Sequence, residues 1–270
     1  MILWASLWAH PRSGAHVLSY LPLRRLYRSA DAVVTYGPHV SSYVLARGAH
    51  NVHVAPQSVD NAFWSAPDVA PPEQPGWPAR AGVRFLFVGR DAPEKGVGVL
   101  VRAWRAAGLR PPDAALALAG VEPDGPGASA VHAGGEDGIV ALGPLPARAL
   151  RDAYAASDAL VLPSLRTRTF REPWGLVVNE AMNRSLPVVA SDEVGAVAGG
   201  LVRDGVNGLV VPAGDDRALA QALRRLAEDP ALRAQLGEQG ARDVAAYDDD
   251  AWADGFSQAL SSLGLSRGRC

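Results

Sequence analysis

Short apolar runs alternate with longer amphipathic segments from the start of the chain. The pattern predicts strands at residues 2–7, 32–35 and 52–55, and helices at residues 21–29 and 38–47. A stretch rich in proline then interrupts the alternation; its prolines are Pro67, Pro71, Pro72, Pro75 and Pro78. Because proline and glycine break regular elements, we interpret residues 65–80 as a linker.

The alternation restarts after this linker. Strands are predicted at residues 84–88, 115–119, 139–142, 159–162, 187–190 and 208–211. Helices are predicted at residues 97–107, 147–156, 176–184, 215–228, 230–240 and 249–262. Short apolar strands that alternate with helices are typical of a doubly wound parallel sheet. The prediction is therefore an α/β fold with one complete and one partial Rossmann-like domain, in which ligands bind beyond the carboxyl ends of the strands.

One segment, residues 170–182 (FREPWGLVVNEAM), places two carboxylates at the ends of a loop that runs into a helix. Pro173 suits the start of a helix and Gly175 allows a ligand close to the backbone, so we expect the helix to begin near Trp174. Free N–H groups there would suit a phosphate. Glu180 could accept hydrogen bonds from ribose hydroxyls and Glu172 from sugar hydroxyls. The alternative is that both are solvated surface carboxylates.

The composition is typical of a globular protein: the chain has 270 residues, of which 48% are hydrophobic, 26 are lysine or arginine and 28 are acidic. The net charge of −2 implies no basic surface for nucleic acid, so we expect no nucleic-acid partner. Lys95 is the only lysine and lies in the loop Gly89-Arg90-Asp-Ala-Pro-Glu-Lys95-Gly96. A compact point charge there could meet a phosphate.

Cysteine usage and the first residues bear on location. The single cysteine, Cys270, allows neither an intrachain disulfide nor a cysteine-based metal site, which fits a reducing compartment, and we predict a cytoplasmic protein without a bound metal. The apolar residues 1–9 have no charged region before them and are too few to span a membrane. The run Asp248-Asp249-Asp250 resembles a metal site, but helix capping is the favoured interpretation.

The motifs together resemble those of family 4 of the retaining glycosyltransferases. The matching residues are Gly89-Arg90, Glu94-Lys95-Gly96 and 172–182, and residues 186–192 and 202–212 extend the match. The resemblance implies a GT-B fold of two facing Rossmann-like domains. It assigns residues 81–245 to the nucleotide-sugar-binding domain, 1–64 to part of the acceptor-side domain, and 246–270 to a C-terminal helix and tail. It also implies that the start of the acceptor-side domain is missing.

The resemblance implies a role for each matching residue. Arg90 and Lys95 would hold the donor diphosphate and stabilise the charge on it as it leaves. Glu172 would contact the transferred sugar and Glu180 the ribose. The backbone around three residues would complete the contacts: Trp174, Gly175 and Leu176. His10 lies where the family often has a histidine near the reacting sugar; the alternative is a structural histidine.

Three functions are compared with these residues and motifs. The first is transfer of a hexose-type sugar, with retention, from a nucleotide-diphosphate donor to an acceptor hydroxyl on a glycan, a lipid or a small molecule. The second is a truncated remnant that binds a nucleotide sugar without turnover. The third, a dinucleotide-dependent oxidoreductase, is disfavoured because Arg90-Asp-Ala follows Gly89 where a G-x-G-x-x-G turn would be needed. In the first two, the nucleotide sugar is a substrate or ligand, and no cofactor is expected.

Two groups of arginines suggest further contacts, and neither group has a single interpretation. Arg24, Arg25 and Arg28 on one predicted helix suggest peripheral contact with an anionic membrane, possible at its inner face, although three arginines are weak support. A second group makes the loop before Glu172 basic: Arg166, Arg168 and Arg171. It is either solvated surface or a second phosphate contact.

Overall fold

The first part of the chain forms a small parallel sheet. The computed structural model describes residues 1–73, 76–79, 81–123 and 137–265. Its first strands are β1 (Ile2–Ala5), β2 (Ala32–Thr35) and β3 (Val52–Val54), which pair in that order. The helices between and after them are α1 (Gly14–Ser29), α2 (Pro38–Leu45) and α3 (Asn61–Ser65). Every residue of the central strand β2 is buried, as expected where neighbouring strands and covering helices exclude water.

The second sheet follows the linker region. Its strands are β4 (Val83–Val88), β5 (Ala114–Ala119), β6 (Ile139–Gly143), β7 (Ala159–Leu162), β8 (Val188–Ser191) and β9 (Gly208–Val211). Its helices are α4 (Val97–Ala107), α5 (Ala147–Ala155), α6 (Val177–Met182), α7 (Gly195–Ala198), α8 (Asp216–Glu228) and α9 (Pro230–Val244). A 3₁₀ turn, Pro93–Lys95, follows β4. These elements confirm the predicted α/β class.

All strands of the second sheet run parallel in the order β6-β5-β4-β7-β8-β9. The strand order therefore reverses between β4 and β7. In doubly wound sheets, this reversal opens a crevice at the carboxyl ends of the two strands. Loops that follow β4 and β7 are the ones that line such a crevice.

Both faces of the second sheet are covered by helices. On one face, Phe85 and Phe87 pack with Trp104 of α4 and with α8. On the other, Tyr154 of α5 and Met182 of α6 belong to a core cluster that continues into the first sheet. The two sheets thus share one apolar core on the side that carries the 170–182 segment.

A last helix, α10 (Asp249–Ser261), returns to the first sheet and packs on β2 and β3. Asp248 caps it, since its carboxylate accepts a hydrogen bond from the Ala251 N–H at 2.8 Å. This confirms the capping interpretation of the Asp248–250 run. Along the described ranges, no helix is both long and apolar enough to cross a bilayer.

Some boundaries differ from the prediction. Helix α1 begins at Gly14 rather than residue 21, because Ser13 caps it and Pro22 does not end it. The helix expected near Trp174 begins at Val177, because Gly175 has φ of +92°, a left-handed conformation that a helix cannot contain. Residues 74, 75 and 80 of the predicted linker, and Cys270, lie outside the described residues. The predicted domain boundaries stay predictions.

Candidate active site

A buried ion pair lies where the strand order reverses. The Lys95 Nζ is 2.5 Å from Glu172 Oε2, and the Ser164 hydroxyl donates to the same oxygen at 3.1 Å. Glu172 is 6% exposed and Ser164 is fully buried. Lys95 is positioned by the 3₁₀ turn after β4, and Ser164 follows β7. The structure therefore brings together two of the residues that the sequence predicted for the site.

The loop that carries Glu172 is fixed by contacts from elements that flank both sheets. Trp8 Nε1 donates to the Glu172 carbonyl at 3.1 Å, and His39 Nε2 donates to the Pro173 carbonyl at 3.3 Å. From the other side, the Ala196 N–H donates to the Trp174 carbonyl at 2.8 Å. Burial lowers the pKa of His39; the hydrogen bond to the Pro173 carbonyl partly opposes this, and the nearby Arg171 charge lowers the pKa further. A neutral His39 with its proton on Nε2 matches this geometry.

The turn after this loop requires glycine. A Cβ on Gly175 would lie 2.8 Å from the Leu162 side chain, and its φ of +92° disfavours any other residue. In the part of the chain that the structure describes, the N–H groups of Gly175, Leu176 and Val177 donate to no acceptor. Trp174 is 2% exposed, and its indole N–H donates to Asn179 Oδ1 at 2.8 Å. This side chain is therefore structural, and the backbone amides of the three residues that follow it are left without an acceptor among the described residues.

Glu180 has a separate partner. The hydroxyl of Tyr154, which is fully buried, donates to Glu180 Oε2 at 2.8 Å. Burial raises the pKa of Glu180, although the Tyr154 hydrogen bond partly opposes this, and burial also raises the pKa of Tyr154. A carboxylate in such a place gains from any ligand that donates further hydrogen bonds to it. Among the described residues, Glu180 and Glu172 share no hydrogen-bond partner.

Arg90 does not join the ion pair. Its side chain is 77% exposed, and its Nη2 is 3.5 Å from Glu94 Oε1. Long exposed side chains of this kind are held weakly. The structure thus places Arg90 on the same loop as Lys95 but at the surface.

His10 has both ring nitrogens engaged. Its Nε2 is 2.6 Å from the His16 carbonyl oxygen, and its Nδ1 is 3.2 Å from the Tyr43 hydroxyl. A carbonyl oxygen only accepts, so Nε2 carries the proton and the Tyr43 hydroxyl can donate to Nδ1 of the neutral ring. His10 lines a cavity together with Trp8 and Arg171.

A comparison with known families decides the assignment. The sequence model described as "Glycosyl transferases group 1" matches residues 80–243, which include Lys95, Glu172 and Glu180. The chain belongs to this family.

Similar proteins agree with the membership. A D-inositol 3-phosphate glycosyltransferase of Kineococcus radiotolerans is 34% identical over 247 residues, which cover 80% of this chain and 54% of that protein. This group 1 chain spans about half the length of the curated relatives that it matches.

Solved structures show the same architecture. Sucrose-phosphate synthase from Thermosynechococcus elongatus has a TM-score of 0.70 at 27% identity, covering 92% of this chain and 62% of that chain. Anabaena Alr3699/HepE in complex with UDP and glucose has a TM-score of 0.74 at 21% identity, covering 97% of this chain and 71% of that chain. The group 1 chain therefore has the GT-B architecture of α/β domains with parallel sheets, as predicted.

Sequence reasoning missed several residues that shape the site of this group 1 chain. Ser164 could have been found, because it follows a predicted strand at the end where ligands bind. Trp8, His39 and Tyr154 carried no such signal. They reach the 170–182 segment through contacts between residues far apart in sequence, which no local pattern reveals.

Proposed function

We propose that this chain carries the donor site of a glycosyltransferase that moves a sugar from a nucleotide-diphosphate donor to an acceptor hydroxyl. The buried Lys95–Glu172 pair, at the strand reversal within the family-matched region, carries the proposal. The unpaired amides of Gly175, Leu176 and Val177 support it, because backbone N–H groups suit anionic oxygens. The UDP and glucose named for the Alr3699/HepE structure are the same class of ligand.

Lys95 and Glu172 have complementary roles in this proposal. In the absence of donor they neutralise each other, which satisfies two charges that burial would otherwise destabilise. When the donor binds, its diphosphate would replace Glu172 as the ion-pair partner of Lys95. Glu172 would then be released to accept hydrogen bonds from the sugar hydroxyls. Arg90, which is exposed, would turn toward the same diphosphate.

Glu180 would accept hydrogen bonds from the ribose hydroxyls beside the one that Tyr154 already donates. Lys95 and Arg90 would stabilise the negative charge that develops on the leaving diphosphate, an electrostatic contribution that is strongest in a site from which water is excluded. The proposal also includes retention of configuration, independence of metal, a cytoplasmic location and membership of family 4. These parts follow from the resemblance and the composition.

A second function, nucleotide-sugar binding without turnover, is favoured by one observation: the chain spans about half the length of its curated relatives. Binding and transfer must therefore be measured separately. The first measurement is calorimetric titration of the chain with UDP, GDP, ADP and their sugars. Tight binding of NAD with none of these diphosphates would contradict both functions.

Two substitutions assign the roles, and a third is their control. Glu180→Ala should weaken nucleotide diphosphate binding by about 1–3 kcal/mol, the range for lost hydrogen bonds to a charged group. Glu172→Gln should weaken binding of the sugar nucleotide more than that of the diphosphate. Arg224→Gln, at an exposed position on α8, is the control. Unchanged affinity in Glu180→Ala, or equal losses for both ligands in Glu172→Gln, would refute the roles.

Turnover separates the two functions. A transfer assay with a radiolabelled sugar nucleotide should show transfer or hydrolysis that Lys95→Ala lowers, because the leaving diphosphate loses its buried cation. Donor binding without any turnover would assign the chain to the binding function instead. A normal rate in Lys95→Ala would exclude Lys95 from the chemistry.

A further inference from the structure

A cleft rich in arginine lies beside the Glu172 loop. It has a volume of about 690 Å³ and is walled by the loop from β1 to α1, the end of α2 and the loop from β7 to α6. Five arginines line what we call the arginine cleft: Arg12, Arg47, Arg166, Arg168 and Arg171. No aspartate or glutamate is among the residues that line it. The donor-site roles proposed above use none of these arginines.

Most of these charges are uncompensated. Within the described ranges, Arg12, Arg47, Arg166 and Arg168 form no ion pair, and only Arg171 has one, with Glu193. The Arg47 Nε is buried and has no hydrogen-bond partner. Clustered like charges repel one another, and an unpaired buried polar group is unfavourable. An anionic ligand in the cleft would relieve the repulsion between the guanidinium groups.

Aromatic rings orient the guanidinium groups. Arg47 lies 3.4 Å from the centre of the Tyr43 ring, and Arg171 lies 3.4 Å from the centre of the Trp8 ring. Cations held over aromatic faces in this way are restrained in position. The Arg12 N–H donates to the Arg168 carbonyl at 2.5 Å, which ties the two walls together. The cleft is therefore organised before any ligand binds.

The cleft adjoins the donor site. Trp8 contacts the Arg171 side chain in the cleft and also donates to the Glu172 carbonyl. His10, for which the family resemblance implies a position near the reacting sugar, lines the cleft as well. A ligand held by the arginines would thus lie next to the carboxylate assigned to the donor sugar, where an acceptor must be.

We propose that the arginine cleft is the acceptor subsite and that it selects an acceptor bearing a phosphate group. This rests on the proposed transferase function. Guanidinium groups bind phosphate through paired parallel hydrogen bonds, which positions the ligand as well as attracting it. The phosphate could belong to a soluble polyol phosphate or to a phospholipid headgroup.

The test compares charged and neutral probes on the 270-residue chain. Two phosphorylated probes are each titrated at low salt beside their neutral counterpart: inositol monophosphate beside myo-inositol, and glucose 6-phosphate beside glucose. Saturating nucleotide diphosphate is present throughout, because it fills the other phosphate site. The double variant Arg166→Gln/Arg168→Gln should bind the phosphorylated probes at least about tenfold more weakly, as expected for lost charge-assisted hydrogen bonds. Both positions are exposed, so folding should be retained. Arg224→Gln should change nothing.

Vesicles distinguish the two sources. Sedimentation with phosphatidylinositol vesicles, against phosphatidylcholine vesicles, should depend on Arg166 and Arg168 if the phosphate belongs to a lipid. If only the soluble probes depend on these arginines, the acceptor is soluble.

Two results would overturn the inference: phosphorylated probes that bind no tighter than neutral ones, or equal affinities in the double variant and Arg224→Gln. A probe that responds to Lys95→Ala but not to the double variant occupies the donor site and also overturns it. If the chain binds no nucleotide diphosphate yet binds phosphorylated probes through these arginines, the transferase proposal fails while the anion subsite stands.

Discussion

Glu180 shows how a single side chain can favour ligand binding over stability. Burial raises its pKa, so the folded protein carries a carboxylate that the surroundings disfavour when it is charged. The Tyr154 hydroxyl offsets part of this, and the proposed ribose hydroxyls would offset more. A residue placed for folding alone would have no reason to be charged there.

Glu180→Gln should therefore raise the thermal unfolding midpoint at pH 7 while weakening nucleotide binding. The amide keeps an acceptor for Tyr154 but has no charge to desolvate. Below the pKa that Glu180 has in the unfolded chain, both states hold the proton and the variant gains nothing. As the pH rises above it, the unfolded state loses its proton first, so wild-type stability falls until the folded pKa is passed.

The measurement is a series of melting curves between about pH 4 and pH 8, a range that spans the ordinary carboxyl pKa. The gain from Glu180→Gln should grow with pH from the unfolded-state pKa and level off above the folded-state pKa. Glu228→Gln, at an exposed position on α8, is the matched control. A variant less stable than wild type at neutral pH would show that the Tyr154 contact outweighs desolvation.

The sequence predicted the charged members of the candidate site but not their environment. Lys95 and Glu172 were named from local motifs, and the structure joins them. Arg90 was named on the same grounds but lies at the surface. Whether a charge is buried depends on segments far away in sequence, such as the loop after β1 that supplies Trp8, and local patterns carry no information about that.

At the scale of elements, the turn after α6 is strained. Ser185 has φ of +54°, and it is the only non-glycine residue with positive φ within the described ranges. A side chain in this conformation destabilises the turn because its Cβ approaches the following carbonyl.

Ser185→Gly should thus stabilise the protein by about 0.5–1 kcal/mol, which is the left-handed penalty of about 1–2 kcal/mol less the entropy that glycine loses on folding. Urea unfolding measures it through a higher midpoint at an unchanged slope. Ser185→Ala keeps the Cβ and should give no gain. Equal stabilisation by both substitutions would locate the effect in the hydroxyl instead of the backbone.

Elements were predicted best where the apolar pattern is regular. Strands β2, β7 and β9 and helix α4 match their predicted bounds, because buried strands and an amphipathic helix leave a clear period. Helices α3 and α7 were missed, since each is about one turn long and is fixed by its surroundings. Asp60, for example, caps α3 by accepting from the Phe63 N–H, a contact too local to create a period.

At the scale of the whole molecule, α10 links the end of the chain to its first sheet. Trp252 and Phe256 of this helix pack against each other and against Trp4 of β1, with ring centres 4.6–6.3 Å apart. The chain thus leaves the second sheet and closes on the first. The loop after β1 supplies Trp8 and helix α2 supplies His39, and both hold the Glu172 loop.

Gly255→Ala should loosen this closure and, through it, the donor site. A Cβ at this position would lie 2.3 Å from the Val54 carbonyl oxygen and 2.5 Å from the Ala55 Cα, and backbone atoms cannot yield as a flexible side chain can. Overpacking of this kind destabilises by about 1–3 kcal/mol. Proteolysis should accordingly cut α10 faster than in wild type, and the affinity for nucleotide diphosphate should fall, although residue 255 is outside the candidate site.

Ser257→Ala, on the exposed face of α10, is the control and should alter neither the proteolysis rate nor the nucleotide affinity. If proteolysis accelerates while nucleotide affinity is unchanged, the Glu172 loop is held by the second sheet alone, and the contacts of Trp8 and His39 do not contribute to donor binding.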